Sequence, residues 1–185
     1  MVTTPKWPSL VLTLLVTTLA WPQQAIIKSG SGAPDFSATG TDDKVHTLKT
    51  VREKGPFVLY FVKDGCPLNQ RAIPHFNAIA AAYRGRAQLV GVVSSNLKTA
   101  KQWKKTHESP LLMLADPESQ IIKAYQAKYS PWVILVNADG KIAKSMEGAS
   151  KDVLNVVNNF LAKAAHMRPA NLNFDTAPEG RGCSF

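Results

Sequence analysis

The sequence predicts an α/β fold with a central mixed β-sheet flanked by helices, and three observations support this. Short apolar runs alternate with segments whose apolar residues recur every three or four positions, the pattern of strands alternating with helices. Residues 57–62 form an almost wholly apolar run bounded by turn residues, as in a strand covered on both faces. Residues 137–140 have the composition of a hairpin turn, which predicts an antiparallel edge on a mainly parallel sheet.

Ordered structure is expected to begin at Asp35. The predicted strands cover residues 45–48, 57–62, 87–94, 111–115, 131–136 and 141–146. The predicted helices cover residues 67–83, 96–107 and 117–128, with a last helix capped by Ser150 and a short helical turn that ends at Glu53.

The inward faces of the helices follow from the same spacing. In the first long helix the apolar stripe comprises Leu68, Ala72, Phe76, Ile79, Ala80 and Tyr83. Pro74 is expected to kink this helix, because its ring crowds the carbonyl group four residues earlier. The later helices are expected to bury Leu97, Ala100, Trp103 or Lys104, then Ile121, Ile122 and Tyr125, and finally Val153, Leu154, Val157, Phe160 and Leu161.

Residues 1–25 are predicted to be a cleaved secretory signal peptide, which makes the protein secreted or periplasmic. The apolar run at residues 10–21 is shorter than the ~20 residues that a membrane span needs. The alternative is that the signal is not cleaved, and only in that case do we expect the protein to contact a membrane. The rest of the chain divides into a flexible lead-in at residues 26–34, a folded domain at residues 35–164 and an extended C-terminal tail at residues 165–185.

The formal net charge of +9 raises the question of nucleic-acid binding. The lysines are scattered, and the densest group lies on one predicted helix at Lys98, Lys101, Lys104 and Lys105. A solvated helix face explains this group, and the sequence contains no nucleic-acid-binding motif. We therefore expect no nucleic-acid partner.

The strongest candidate for chemistry is Cys66, which lies between the apolar run at residues 57–62 and the helix that follows it. A thiol at this junction faces the unpaired N–H groups of the first helical turn, and these favour the nucleophilic thiolate. Pro67 would occupy the first helical position, where its missing N–H group costs nothing. Asp64 acts in the opposite sense, because a nearby carboxylate disfavours the thiolate.

Cys183, in the tail, is the second cysteine. Outside the cytosol disulfides persist, so the two cysteines could pair, but the sequence leaves open whether they do. The histidines are dispersed at His46, His75, His107 and His166, and none has metal-ligand spacing with a cysteine. We therefore expect no metal and no other cofactor.

An ordered series of segments lies at residues 32–36, 44–48, 57–66, 116–125 and 129–142. Pro74 adds a helix proline eight positions after Cys66. Together they resemble the thioredoxin-like redoxin superfamily, which includes the thioredoxins, the TlpA/ResA-type proteins and the AhpC/TSA peroxiredoxins. The resemblance covers about residues 30–163 and implies a thioredoxin-like fold.

The resemblance also implies a substrate site around Pro131. It places Pro131 after a cis peptide bond, facing Cys66, and makes the peptide group at Ser130 the binding point for an extended strand of substrate. X–Pro bonds in general are cis in only about 5–6% of cases, so this expectation rests on the resemblance.

Two positions depart from the pattern of the superfamily. Asn69 stands where the dithiol members have a second cysteine, which removes an internal disulfide with Cys66. Lys63 stands where peroxiredoxins have a threonine that binds peroxide alongside an arginine. Lys63 or Arg71 could supply positive charge to the Cys66 thiolate, although neither matches the family pattern.

The resemblance implies an extracytoplasmic thiol oxidoreductase with Cys66 as its nucleophile. Its partners would be a hydroperoxide, or protein thiols and disulfides, together with an external thiol reductant. Cys183 could be the resolving thiol, because a sulfenic acid needs a second thiol to escape further oxidation. The alternative is a non-enzymatic binding module with a structural Cys66–Cys183 disulfide, which would stabilise the fold by roughly 4.7 kcal/mol for a loop of about 100 residues.

Overall fold

The computed structural model describes residues 27–185, so the predicted signal peptide lies outside the described residues. The elements, in chain order, are β1 (Ser37–Thr39), β2 (Val45–Thr47), α1 (Leu48–Arg52), β3 (Phe57–Val62), α2 (Pro67–Ala82), β4 (Gln88–Val93), α3 (Leu97–Thr106), β5 (Leu112–Ala115), α4 (Gln120–Ala124), β6 (Tyr129–Ser130), β7 (Trp132–Val136), β8 (Ile142–Glu147), α5 (Lys151–Ala164) and β9 (Cys183–Ser184). Within residues 27–185, no helix has the length and apolar character needed to cross a bilayer.

A five-stranded mixed sheet in the order β5-β4-β3-β7-β8 forms the centre of the fold. β3 pairs in parallel with β4 and antiparallel with β7, and every residue of β3 is buried. β5 pairs in parallel with β4, and β8 returns antiparallel beside β7 after the predicted turn. The predicted α/β fold with a central mixed sheet is therefore confirmed.

Each face of the sheet carries its own apolar core, because alternate residues of a strand point to opposite faces. Val58 and Tyr60 of β3 pack in the core that includes residues of α2, α3 and α5. Phe57 and Leu59 pack in the core that includes residues of α1 and α4. This arrangement fixes β3 between two layers and sets the position of the loop that leaves its C-terminal end.

The helices bury most of the predicted inward residues, with differences at the start of α2 and in α3. α2 continues through Pro74, and its first turn buries Asn69, whereas Leu68 is only half-buried. In α3, Lys104 is not simply solvated, because its ammonium group donates to the Leu111 carbonyl group. Partial burial lowers the pKa of Lys104.

The helix predicted over residues 117–128 is wrong in its extent. α4 covers only Gln120–Ala124 and is preceded by Ser119 in a left-handed conformation. The Asp116 carboxylate accepts hydrogen bonds from the N–H groups of Gln120 (2.8 Å) and Ile122 (3.0 Å), so it satisfies the helix start from outside the helix. Gln126, with φ of 52°, ends the helical region early.

The lead-in at residues 26–34, expected to be flexible, is hydrogen-bonded over its described part. The N–H groups of Gly30 and Ala33 donate to the carbonyl groups of Ile142 and Gly140, both at 2.8 Å. The Ile142 N–H group in turn donates to Ser31. The lead-in therefore supplies backbone partners at the start of the edge strand β8.

The tail at residues 165–185 folds back over the domain. Phe174 is 2% exposed and packs in the core beside α2 and α5. Upstream, the Ala170 N–H group donates to the Tyr83 hydroxyl (2.8 Å), and its carbonyl group accepts from Asn158 (2.9 Å). These contacts direct the last residues of the chain toward the start of α2.

Candidate functional site

Cys66 occupies the predicted junction between β3 and α2. It is the N-cap residue of α2, and Pro67 is the first helical residue. Gly65 precedes it with φ of 74°, a conformation that glycine adopts at little cost. Cys66 is 3% exposed, so the surrounding chain covers it almost completely.

A disulfide joins Cys66 to Cys183, with the two Cα atoms 6.0 Å apart. The two cysteines are separated by 117 positions in the sequence. The pairing that the sequence left open is therefore formed, and it holds the end of the tail against the start of α2.

The Ser130–Pro131 peptide bond is cis, as the resemblance implied. Cys66 Sγ lies 3.4 Å from the carbonyl oxygen of Ser130. Ser130 itself is fully buried. The structure therefore brings Cys66, Cys183, Ser130 and Pro131 into one site.

The tail enters this site as an added β-strand. β9 pairs antiparallel with β6, with Cys183 opposite Ser130 and Ser184 opposite Tyr129. The Phe185 N–H group continues the pairing by donating to the Lys128 carbonyl group (3.2 Å). The tail thus lies where the resemblance places an extended strand of substrate.

Asn69 has a role that the sequence reasoning missed. Its amide donates to the Ser130 hydroxyl (2.6 Å) and the Lys63 carbonyl group (3.0 Å), and its oxygen accepts from the Tyr60 hydroxyl (3.0 Å). Burial raises the pKa of Tyr60 well above its ordinary value, so this hydroxyl stays protonated and can donate. A polar residue within a buried helical face was the signal available in the sequence.

The same network fixes the backbone on both sides of the site. The Ser130 hydroxyl also accepts from the Lys63 N–H group (2.6 Å) and donates to the Phe61 carbonyl group (3.3 Å). Ser130 is thereby tied to the end of β3 and to the first turn of α2. At the position where a dithiol site has its second cysteine, Asn69 instead forms hydrogen bonds that hold the first turn of α2 to Ser130 and to the end of β3.

The two proposed sources of positive charge lie in different places. The Lys63 ammonium group donates to the Ser184 carbonyl group (2.7 Å), so it contacts the tail beside Cys183. The Arg71 side chain is exposed, and no hydrogen bond or ion pair joins its guanidinium group to the described residues. Of the two, Lys63 is the residue that the fold brings to the docked tail.

No group of three or more histidine, cysteine, aspartate or glutamate side chains within residues 27–185 is placed to hold a metal ion. The described site brings together the sulfur atoms of Cys66 and Cys183. Around them lie a helix N-terminus, the Ser130 backbone and the Lys63 ammonium group.

Known proteins resemble this chain in sequence and in fold. Residues 29–145 match the family model of the AhpC/TSA family. The chain is 24% identical to the thiol-disulfide oxidoreductase ResA of Geobacillus thermodenitrificans, over 76% of this chain and 85% of that protein.

Two solved structures share the thioredoxin-like fold. One is peroxidoxin BcpB from Mycobacterium tuberculosis, with a TM-score of 0.64 and 17% identity, covering 77% of this chain and 99% of that one. The other is a secreted disulfide oxidoreductase of the same organism, with a TM-score of 0.56 and 20% identity, covering 69% of this chain and 95% of that one. The predicted thioredoxin-like fold is confirmed.

Proposed function

The chain belongs to the AhpC/TSA family, and from this premise we propose that it is a thiol-disulfide oxidoreductase that acts outside the cytosol. Cys66 is its nucleophile and Cys183 its second thiol. The observation that carries the proposal is the docked tail, in which Cys183 lies on a strand added beside Ser130 and is bonded to Cys66. The tail supplies the thiol that position 69 lacks.

The oxidation of the enzyme proceeds by two exchanges at Cys66. In the reduced protein, the Cys66 thiolate attacks one sulfur of a substrate disulfide, which forms a mixed disulfide and releases the other sulfur as a thiolate. The Cys183 thiolate then attacks Cys66 Sγ, which releases the bound substrate sulfur and leaves the Cys66–Cys183 disulfide. Two electrons pass to the substrate, whose two sulfur atoms leave as thiolates.

Reduction of the enzyme begins at Cys183. In the oxidised protein Cys66 is 3% exposed whereas Cys183 is half-buried, so a thiolate reaches Cys183 more easily. Attack on Cys183 releases Cys66 as a thiolate, and the α2 N-terminus stabilises that leaving group. A second reductant thiolate then attacks the reductant sulfur, which frees Cys183 and releases the reductant as a disulfide.

Disulfide exchange has more support than peroxide reduction. On the side of α3, Cys66 borders a small pocket whose other lining residues are Asp64, Gly65, Gln70, Thr99, Gln102, Trp103, Thr106 and His107. This lining contains no lysine or arginine. Neither Lys63 nor Arg71 lines this pocket. A peroxide that entered by this pocket would therefore meet no cationic side chain to activate it.

A location outside the cytosol is consistent with three features. The sequence of residues 1–25 has the character of a secretory signal. The Cys66–Cys183 disulfide suits an oxidising compartment. One of the structural relatives is itself described as secreted.

The test is to trap the mixed disulfide at Cys66. The full-length Cys183→Ser variant is reduced, mixed with a disulfide-bonded protein in which one paired cysteine directly follows a glycine, as Cys183 does, and quenched with an alkylating agent. We expect a covalent adduct at Cys66 that accumulates in Cys183→Ser and is cleared in the unsubstituted chain, because only the latter has the resolving thiol. Peptide mapping by mass spectrometry identifies the bond.

Cys66→Ser is the matched control and should form no adduct. If Cys183→Ser forms no more adduct than Cys66→Ser, Cys66 is not an exchanging thiol. The non-enzymatic alternative, a binding module with a structural disulfide, would then be the better account.

A further inference from the structure

We infer that the groove in which β9 lies, beside Ser130 and Pro131, selects substrate strands in which glycine directly precedes the reacting cysteine. The inference rests on the proposed function, because it treats the docked tail as an internal example of a bound substrate strand. In the tail that strand reads Arg181-Gly182-Cys183-Ser184-Phe185. Its contacts show which positions the groove restricts.

Gly182 is the position of the strand at which the groove most limits the choice of side chain. Its φ is 87°, which L-residues with a side chain rarely adopt. A Cβ atom built there would overlap the Ser130 carbonyl oxygen, and would lie 2.8 Å from the Ser130 carbonyl carbon and 3.0 Å from Pro131 Cδ. A residue other than glycine therefore meets both backbone strain and a steric clash.

The groove cannot easily move to relieve that clash. The atoms in the way belong to backbone and to a proline ring, and Ser130 is held by Asn69 and by the Lys63 N–H group, both at 2.6 Å. A flexible side chain could rotate aside, but the Ser130 peptide group cannot move far without straining the buried hydrogen bonds that hold its own hydroxyl group.

The remaining contacts of the strand discriminate less between sequences. Lys63 binds the Ser184 carbonyl group, and Lys128 accepts from the Phe185 N–H group, and both contacts use the backbone of the strand. Arg181 lies 3.3 Å from Glu147 Oε1, but both side chains are largely exposed, and such ion pairs contribute little. The Phe185 side chain packs against the core that includes α1 and α4, and Arg181 lies 5.9 Å from the centroid of the Tyr129 ring, so both can add affinity. Only at the glycine do backbone conformation and steric clash together exclude other residues.

The test uses short peptides that carry thionitrobenzoate on their cysteine. The Cys66 thiolate attacks the peptide sulfur, forms the Cys66–peptide disulfide and releases thionitrobenzoate, which is followed by its absorbance. The enzyme is full-length, reduced Cys183→Ser. The peptides are Arg-Gly-Cys-Ser-Phe, Arg-Ala-Cys-Ser-Phe and, as a matched control, Arg-Gly-Cys-Ala-Phe, all with blocked N-termini.

We expect the Arg-Ala-Cys-Ser-Phe peptide to react at least about tenfold more slowly than Arg-Gly-Cys-Ser-Phe, because of the left-handed backbone and the clash. The control peptide should match Arg-Gly-Cys-Ser-Phe, since only the backbone of that position is bound. Equal rates for the glycine and alanine peptides would overturn the inference while leaving the proposed function intact. Release no faster than with Cys66→Ser would overturn both.

The tail itself offers a second measurement. Gly180 also has a positive φ, of 101°, but a Cβ atom there would meet nothing within 4 Å. Gly180→Ala therefore carries a similar backbone penalty without the clash. In glutathione buffers, Gly182→Ala should weaken formation of the Cys66–Cys183 disulfide at least about fivefold more than Gly180→Ala. Equal effects would mean that the groove imposes no steric selection before the cysteine.

Discussion

Asn69 shows how a single residue can change the chemistry of the site. All three hydrogen-bonding groups of its side-chain amide are used, by Lys63, Ser130 and Tyr60. The residue is 1% exposed, so no solvent would replace a lost partner. A buried polar group left without a partner costs about 1–3 kcal/mol. Position 69 therefore contributes a fixed Ser130 backbone, and the reactive sulfur comes from elsewhere.

Asn69→Ala should destabilise the protein by about 1–3 kcal/mol, because it leaves the Tyr60 hydroxyl and the Lys63 carbonyl group without this partner. It should also slow adduct formation at Cys66 by about tenfold, since the groove loses its fixed geometry. Urea unfolding and the thionitrobenzoate reaction measure the two effects.

The control for this prediction is Asn77→Ala, also in α2. The Asn77 amide donates to the His107 carbonyl group (3.0 Å) and accepts from the Ser109 hydroxyl (2.9 Å), and these contacts do not involve Lys63, Ser130 or Tyr60. It should lose stability but keep the reaction rate. If Asn69→Ala keeps the full rate as well, Asn69 is a structural residue without a positioning role.

The reactivity of the reduced Cys66 thiol is the second prediction at this scale. Because Cys66 caps the N-terminus of α2, its thiolate should form more easily than that of a free cysteine. Iodoacetamide labelling of reduced Cys183→Ser should therefore reach half its maximal rate well below about pH 8.5. Cys183 in the Cys66→Ser variant is the comparison, and equal profiles for the two thiols would contradict the prediction.

At the scale of elements, the C-terminal tail is held to the domain at two places, its middle and its end. Phe174 fixes its middle in the core, and the residues after it carry Cys183 into the groove. On the proposed function, a substrate strand would pair with the edge of β6 that β9 occupies, so the last residues of the tail would have to leave before substrate binds. The buried Phe174 would then keep Cys183 near Cys66.

Phe174→Ala should weaken this anchor. If the tail then detaches from the domain as far back as the end of α5, the free segment before Cys183 begins near residue 165 and no longer near residue 175. Its length roughly doubles. The entropic cost of closing the loop then rises by about 0.6 kcal/mol, or roughly threefold in the equilibrium for forming the Cys66–Cys183 disulfide. Disulfide formation in glutathione buffers measures the change. Met167→Ala, at an exposed position, is the control, and an unchanged equilibrium in Phe174→Ala would show that the anchor does not matter.

Local patterns predicted the elements well, and contacts between distant residues were harder to predict. The buried β3 and the hairpin before β8 follow from composition within a few residues. The helix predicted over residues 117–128 is too long, because the Asp116 carboxylate caps a helix that begins only at Gln120 and the positive φ of Gln126 ends the helical region. Both are local features that the spacing of apolar residues does not reveal.

The candidate site was predicted in part. Cys66, Ser130 and Pro131 could be placed because a strand, a helix and a family resemblance fix them. The docking of Cys183 could not, because the tail has no periodicity and its strand pairs with only two residues of β6. Asn69 was read as a missing cysteine, and its bonds to Tyr60 and Ser130 became visible only in three dimensions.

At the scale of the whole molecule, the central question is what the Cys66–Cys183 disulfide does. A structural bridge and a catalytic pair have the same covalent bond, and they differ in how easily the bond is reduced. Structural disulfides of secreted proteins have reduction potentials below about −300 mV, whereas disulfide oxidoreductases lie between about −270 and −120 mV. The family membership and the docked strand favour the second range.

The most direct test is therefore the reduction potential of the Cys66–Cys183 disulfide in the full-length protein. The protein is equilibrated in thiol–disulfide buffers of known potential, and the two cysteines are scored by alkylation and mass. We predict a midpoint more positive than about −300 mV, within the range of disulfide-exchange enzymes. A midpoint below that value would contradict the account and identify the disulfide as a structural bridge.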